Sequence, residues 1–170
     1  MVRPPASIKT AAPEPVTDMT LLKHLFAPLI LAGVMAGAAA PSCAESHGVF
    51  SKGGIAIAGY DAVISFRENR AAKGSMDHAL MWRGATWLFV SDETMEAFEM
   101  DPKGFAPQYG GYCAYAASKG QRAPSDPEVF TVHAGKLYLN NSAAVRDLWL
   151  NEADDNISIA DENWAVLSGQ

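Results

Sequence analysis

The sequence predicts a single small α+β domain, built from short antiparallel strands and hairpins together with several short helices. Two hairpins are indicated, because alternating apolar segments flank the turns at Arg83-Gly84 and Ala134-Gly135. A helix follows the first hairpin, since Ser91 can cap it and two acidic residues occupy its first turn, where the helix dipole favours negative charge. Another helix follows the second hairpin, where apolar side chains recur at i, i+3, i+4 spacing up to Trp149.

The remaining elements are predicted from local signals. Asp61 is expected to cap a helical turn that follows a bend at Gly59. Ser158 and Asp161 resemble a capping box, so the last helix is expected to begin at Ser158. No internal repeat is recognised. In chain order the other expected elements are strands at 78–82 and 86–90, a helix at 91–101, a helical segment at 112–118, strands at 129–133 and 136–140, and a helix from 141 or 142 to 150.

Residues 1–44 are predicted to be an N-terminal extension and signal peptide. Lys23 precedes an apolar run at residues 25–40, and Ser42-Cys43-Ala44 fits a small-x-small cleavage site. The run is too short for a comfortable membrane span. We therefore expect cleavage near Ala44 and a periplasmic or secreted protein without a membrane span after processing. An uncleaved membrane anchor is the alternative.

The processed chain is predicted to be one acidic domain. Residues 45–54 are expected to form a flexible lead, and residues 55–168 are expected to form the folded domain. Either Met1 or Met19 can be the start of translation. The net charge of the full chain is −6 at pH 7, and its acidic residues are scattered. No basic patch is present to bind phosphates, so we expect no nucleic-acid partner.

Four segments of the chain carry a family resemblance. They are GYDAVISF (59–66), WRGATWLFVSDETMEAFEMDP (82–102), APQYGGYCAYA (106–116) and GKLYLN (135–140). In this order they resemble the exported YHS-domain-containing proteins of bacteria, over roughly residues 54–167. The resemblance implies a small α+β module linked to transition-metal binding. The cysteines of the short metal-associated members match Ile64, Val90 and Thr94 here, so all three thiols are missing.

Cys113 is the one cysteine that follows the predicted cleavage site. It comes just after Gly110-Gly111 near the start of a predicted helix, where backbone N–H groups favour a thiolate. A soft transition metal, copper or zinc, would suit this thiolate with a histidine, and His78 and His133 are the candidates. The alternatives are a buried thiol that packs as a small apolar side chain, and imidazoles that are merely exposed.

A second set of candidates surrounds the same turn. Gly110 and Gly111 are expected to make a tight turn, with a positive φ or a close backbone contact at one of them. Tyr109 and Tyr112 could line a cleft there, and core packing of these rings is the alternative.

These observations predict an exported, non-enzymatic YHS-domain protein that binds a small ligand or a transition metal. The sequence contains no serine-nucleophile, metalloprotease or phosphate-loop motif. The alternative is a periplasmic protein-interaction module in which Cys113 is purely structural. A thiol enzyme built on Cys113 is a third hypothesis, and nothing in the sequence positions a base for it.

Overall fold

A computed structural model describes residues 48–169, and these residues fold as the single α+β domain that the sequence predicts. Within them the chain forms six α-helices and two small sheets. The strands are β1 (Ser51–Lys52), β2 (Ile55–Ala56), β3 (Ser75–Trp82), β4 (Ala85–Phe89), β5 (Asp126–His133) and β6 (Lys136–Asn140). The helices are α1 (Ala62–Glu68), α2 (Asp92–Met100), α3 (Pro102–Phe105), α4 (Ala114–Ser118), α5 (Ala143–Asn151) and α6 (Ala153–Leu167).

The first sheet has four strands in the order β1-β2-β4-β3. β2 runs parallel to β4, whereas the β1–β2 and β3–β4 pairs are antiparallel. The second sheet is the β5–β6 hairpin. Both predicted hairpins are confirmed, although β3 begins at Ser75 rather than at His78.

The two hairpins and the helices that follow them form an internal repeat. β3, β4 and α2 contain 8, 5 and 9 residues, and β5, β6 and α5 have the same lengths. A shift in register interrupts both hairpins near their start. A serine caps each following helix, Ser91 in one case and Ser142 in the other. The same supersecondary unit therefore occurs twice.

The repeat extends to the turn and the helix that precede each hairpin. Three successive residues with positive φ come before α1 and again before α4: Ile57, Ala58 and Gly59, then Tyr109, Gly110 and Gly111. We call residues 57–100 the first repeat and residues 109–151 the second repeat. The expectation of no internal repeat is wrong, because the two copies share backbone conformation while many matching positions carry different side chains, such as Asp61 and Cys113.

In each repeat, an aromatic ring from the second strand packs against an aromatic ring from the last helix. The ring centroids of Trp87 and Phe98 lie 4.9 Å apart in the first repeat, and those of Tyr138 and Trp149 lie 5.0 Å apart in the second. The two pairs belong to two clusters of buried apolar side chains. Buried aromatic rings contribute large apolar areas, so each repeat carries its own part of the core.

The last helix begins earlier than the sequence predicts. α6 starts at Ala153, so Ser158 and Asp161 lie inside the helix rather than capping it. The capping-box prediction is wrong because α6 follows α5 directly across Glu152, which leaves no loop before Ser158. Two aspartates occupy the first turn of α6, where the helix dipole favours them.

The expected flexible lead is instead packed into the domain from residue 48 onward. Val49 is only 1% exposed, and the Phe50 N–H donates to the Gly110 carbonyl at 2.8 Å. β1 then pairs with β2. The prediction is therefore wrong for residues 48–52, whereas residues 45–47 lie outside the described part of the chain.

The predicted signal peptide, with its apolar run at residues 25–40, also lies outside the described residues. In residues 48–169, no helix combines the length and the apolar character that a membrane crossing requires.

Candidate functional site

A cavity of about 390 Å³ lies beside the end of the first hairpin. Its walls come from that hairpin, from α3, from the connection between α3 and α4, and from α6. The lining combines aromatic rings, two cations, one carboxylate and small residues: Trp82, Arg83, Trp87, Lys103, Ala106, Pro107, Gln108, Tyr109, Gly110, Asp161 and Trp164. Small-molecule sites are typically concave with mostly apolar walls and a few polar groups, whereas the accessible lining of this cavity is more polar than apolar.

The tight turn of the first hairpin brings Trp82 and Arg83 to the cavity. Arg83 and Gly84 both have positive φ, at 48° and 73°, which is the combination that a two-residue type I′ turn requires. The Arg83 guanidinium lies over the Trp82 ring, 4.7 Å from its centroid. Trp82 in turn contacts Trp87 and Phe98 edge-on, with centroids 5.6 Å away in both cases. The core of the first repeat therefore fixes the ring on which the cation rests.

Tyr109 and Asp161 form a polar contact inside the cavity. The Tyr109 hydroxyl donates to Asp161 Oδ1 at 3.0 Å, and the Tyr109 ring packs against Trp164 with centroids 5.8 Å apart. Burial raises the pKa of Tyr109 well above its usual value of 10, and the negative charge of Asp161 raises it further. Tyr109 is therefore protonated at neutral pH, where its hydroxyl donates to Asp161.

The backbone beside this contact is strained. Tyr109 has a φ of 54°, which costs a residue with a side chain about 1–2 kcal/mol. Gly110 and Gly111 continue the left-handed turn with φ of 60° and 84°. A Cβ on Gly110 would overlap the Gly48 carbonyl oxygen, and one on Gly111 would lie 2.6 Å from Ile57 Cγ2. The predicted positive φ and close backbone contact are therefore both confirmed.

The charged groups of the cavity are unequally distributed. Arg83 and Lys103 contribute two positive charges, and Asp161 contributes one negative charge. Among residues 48–169, neither cation lies in an ion pair. The full chain has a net charge of −6, so the cavity is a locally positive place in an acidic protein.

Cys113 lies in a different environment. Its side chain is buried, its N–H donates to the Ala123 carbonyl at 3.0 Å, and its Sγ donates to Asn140 Oδ1 at 3.7 Å. α4, which follows it, has only 5 residues. Cys113 does not line the cavity described above. Its contacts are those of a packed side chain beside the β6 strand.

The two candidate histidines are each engaged elsewhere. His78 Nδ1 lies 2.8 Å from Asp92 Oδ1, and His133 Nε2 lies 2.8 Å from Asp154 Oδ1. Across residues 48–169, no three histidine, cysteine or acidic side chains are grouped so that they could hold a metal ion. The structure therefore brings neither histidine into a metal-ligand set with Cys113, and this donor set does not fit a copper or zinc site.

Two of the four residues predicted to line a cleft or form a turn line the cavity in the structure, and two do not. Tyr109 and Gly110 line the cavity, whereas Gly111 and Tyr112 do not. The Tyr112 ring instead packs between Phe50 and Trp164, at centroid distances of 5.5 and 5.9 Å.

Sequence reasoning missed most of the polar lining of the cavity. Arg83, Lys103 and Asp161 are far apart in the chain, and no local pattern joins them. Arg83 carried one usable signal: it occupies a type I′ turn position that usually holds Asn, Asp or Gly. Asp161 was interpreted as part of a capping box that begins at Ser158, and it was therefore not considered as a binding residue.

Comparisons of this chain with protein-family models, with curated proteins and with solved structures find no match. The resemblance to YHS-domain proteins stays a prediction from the sequence.

Proposed function

We propose that this protein is an exported, non-enzymatic binding module of the YHS type whose small-molecule ligand occupies the cavity beside Trp82, Tyr109 and Trp164. The observation that carries this proposal is the grouping of the Trp82, Tyr109 and Trp164 rings with two cations around one cavity. The positive φ of Tyr109 is not part of this support, because the same turn recurs at Ile57 and Ala58, outside the cavity. The cavity volume of about 390 Å³ falls in the range of small-molecule sites.

The chemistry of the lining favours binding over catalysis. Among the described residues, no cysteine, serine or histidine lines the cavity, so the side chains that most often serve as nucleophile and base are absent from this lining. The remaining polar groups can orient a ligand and neutralise its charge. Export is proposed from the sequence of residues 1–44 alone, because these residues lie outside the described part of the chain.

The protein-interaction module is the second candidate, and one surface favours it. β3 is an edge strand of the first sheet, and it exposes Met76 and Met81. Edge strands with exposed apolar side chains can pair with another chain. A partner protein, rather than a small molecule, would then copurify with this domain.

Native mass spectrometry of protein purified from the exporting compartment tests the proposal. The wild type should carry a small molecule. Gln108→Trp should fill the cavity and abolish this added mass, because Gln108 is one of the lining residues. Gln121→Trp is the matched control, since Gln121 is exposed and lies outside the cavity.

A small-molecule mass on the wild type and on Gln121→Trp, and its loss from Gln108→Trp, supports the proposal. The proposal fails if no small molecule is found, or if Gln108→Trp retains it. A partner protein that copurifies with all three and no added small mass would favour the second candidate.

A further inference from the structure

We infer that the ligand of this cavity is a planar organic anion, namely an aromatic ring that bears a carboxylate. This inference rests on the proposed function, because it names the chemical class of the molecule in that same cavity. Three features of the lining support it: the surplus of cations, two partly exposed indoles from separate elements, and an acceptor atom of Asp161.

The cations indicate a negative ligand. Arg83 and Lys103 line the cavity, and neither has an ion-pair partner among residues 48–169. The single carboxylate, Asp161, already accepts from the Tyr109 hydroxyl. Arg83 rests on the Trp82 ring, which orients its planar guanidinium and so reduces the freedom it loses on binding a carboxylate. A bound carboxylate would neutralise this local surplus.

The aromatic walls indicate a flat ring. Trp82 comes from β3 and Trp164 from α6, and both indoles are only partly buried. Each indole contacts a buried ring edge-on, Trp82 with Trp87 and Trp164 with Tyr109. Rings fixed in this way lose little freedom when a planar ligand packs against them.

Asp161 adds a requirement for a hydrogen-bond donor on the ligand. Its Oδ1 accepts from Tyr109, whereas Oδ2 accepts no hydrogen bond from residues 48–169. Asp161 is exposed, so a ring N–H or hydroxyl of the ligand would replace solvent at Oδ2. An aromatic carboxylate with a ring N–H therefore matches all three features.

Isothermal titration calorimetry of the mature protein with indole-3-acetate tests this class. Indole-3-acetamide is the neutral probe with the same ring, and cyclohexaneacetate is the anion without a planar ring. We expect indole-3-acetate to bind at least about tenfold more tightly than either of them, because only it satisfies both the cations and the flat walls.

Variants assign the effect to the two cations. Arg83→Gln and Lys103→Gln should each weaken indole-3-acetate binding by about tenfold and leave indole-3-acetamide binding unchanged. Arg67→Gln and Lys119→Gln are controls, because these cations lie outside the cavity. Arg67 also matches Arg83 in lying over a ring, 4.9 Å from the Phe105 centroid. The controls should bind indole-3-acetate as the wild type does.

The outcomes separate this inference from the function on which it rests. Equal or tighter binding of the amide or the cyclohexane acid overturns the ligand class, and so do cavity variants that behave like their controls. The proposed ligand class is also wrong if no probe binds although mass spectrometry still finds a small molecule that Gln108→Trp abolishes. In that case the proposed function stands. Absence of that molecule, together with absence of probe binding, overturns both.

Discussion

The two repeats share one backbone but cap their first helices in different ways. In the first repeat, Asp61 is fully buried and its carboxylate accepts the N–H groups of Val63, Ile64 and Val90, at 2.8, 3.1 and 2.9 Å. In the second repeat the matching residue is Cys113. There the acceptor comes from the end of β6, where Asn140 Oδ1 accepts the Tyr115 N–H at 3.2 Å.

This difference explains why a thiol is tolerated at the start of α4. The helix needs an acceptor for its first N–H groups, and the acceptor can come from the helix cap or from the neighbouring strand. Asn140 supplies it in the second repeat, so residue 113 only has to be small and compatible with a buried site. The position of Asn140 in the first repeat is taken by Phe89, a buried apolar residue.

The hairpin ends differ as well. The first hairpin presents Trp82 and Arg83 to a cavity, whereas the second presents His133 and Ala134 at the same positions. His133 pairs with Asp154, and its ring packs edge-on against Trp149. The backbone is therefore common to both repeats, and of the two hairpins only the first contributes side chains to the cavity.

The largest expected effect is the loss of an aromatic ring from either repeat. Trp87→Ala should reduce the free energy of unfolding by about 3–5 kcal/mol, because it leaves a large cavity in a buried cluster, and Trp149→Ala should cost a similar amount. Urea denaturation measures both. A loss below about 1 kcal/mol in one of them would show that this repeat does not contribute to a shared core.

Asp61→Ala should cost about 3 kcal/mol, because it leaves three buried N–H groups without their acceptor. Asp101→Ala is the matched control: Asp101 also caps a helix by accepting the Gly104 N–H, but it is exposed, so about 1 kcal/mol is expected. Equal losses for the two variants would contradict the special role given to Asp61.

Gly110→Ala should cost about 2–4 kcal/mol, since the new Cβ would displace the Gly48 carbonyl and the residue keeps a positive φ. The matching position in the first repeat, Ala58, is exposed and already carries a Cβ at a φ of 52°. Gly53→Ala is the control, because beyond its chain neighbours no heavy atom lies within 4 Å of the position that the added methyl carbon would take. Chemical denaturation that finds the two glycine variants equally stable would remove the argument for close packing.

Stability should fall at high pH because of Tyr138. Burial raises the pKa of this residue to about 12, with the charges of Asp161 and Asp154 adding to the effect. The folded state therefore keeps a proton that the unfolded chain loses near pH 10, so this contribution is complete below pH 10 and is lost as the pH rises toward about 12.

The expected slope from this group is up to about 1.4 kcal/mol per pH unit. Urea denaturation between pH 9 and about 11.5 should show a shallower decline for Tyr138→Phe than for the wild type. Tyr115→Phe, in the same repeat, serves as the control and should keep the wild-type decline. A wild-type slope in Tyr138→Phe would contradict the assignment.

The sequence predicted the local elements well and the tertiary relations poorly. Turn residues and serine caps lie next to the elements they define, so both hairpins and the helices after them could be predicted from Arg83-Gly84, Ala134-Gly135 and Ser91. The last helix was misplaced because the Ser158 pattern fits a helix interior as well as a helix start.

The repeat left one signal in the sequence that was overlooked. Gly59-Tyr60-Asp61-Ala62 and Gly111-Tyr112-Cys113-Ala114 match at three of four positions. Almost no local sequence pattern indicated the cavity. Its cations, its carboxylate and its indoles come from separate elements that only the tertiary fold brings together. Such a site depends on long-range packing, which periodicity and capping patterns do not encode.

The smallest expected effect concerns Cys113. Cys113→Ala should cost only about 1–2 kcal/mol, because it removes one buried sulfur while Asn140 still caps α4. Asn140→Ala should cost more, because it removes the acceptor of the Tyr115 N–H. Chemical denaturation that reverses this order would contradict the division of roles between the two residues.

The central claim is that Cys113 is a packed side chain of the second repeat and not a metal ligand. Thermal unfolding of the wild-type protein and of Cys113→Ser, each with and without Cu(I) or Zn(II), tests it most directly. The account predicts no metal-dependent rise in Tm that depends on Cys113, because among the described residues Cys113 belongs to no group of three histidine, cysteine or acidic side chains that could hold a metal ion. A rise in the wild type that Cys113→Ser abolishes would contradict it.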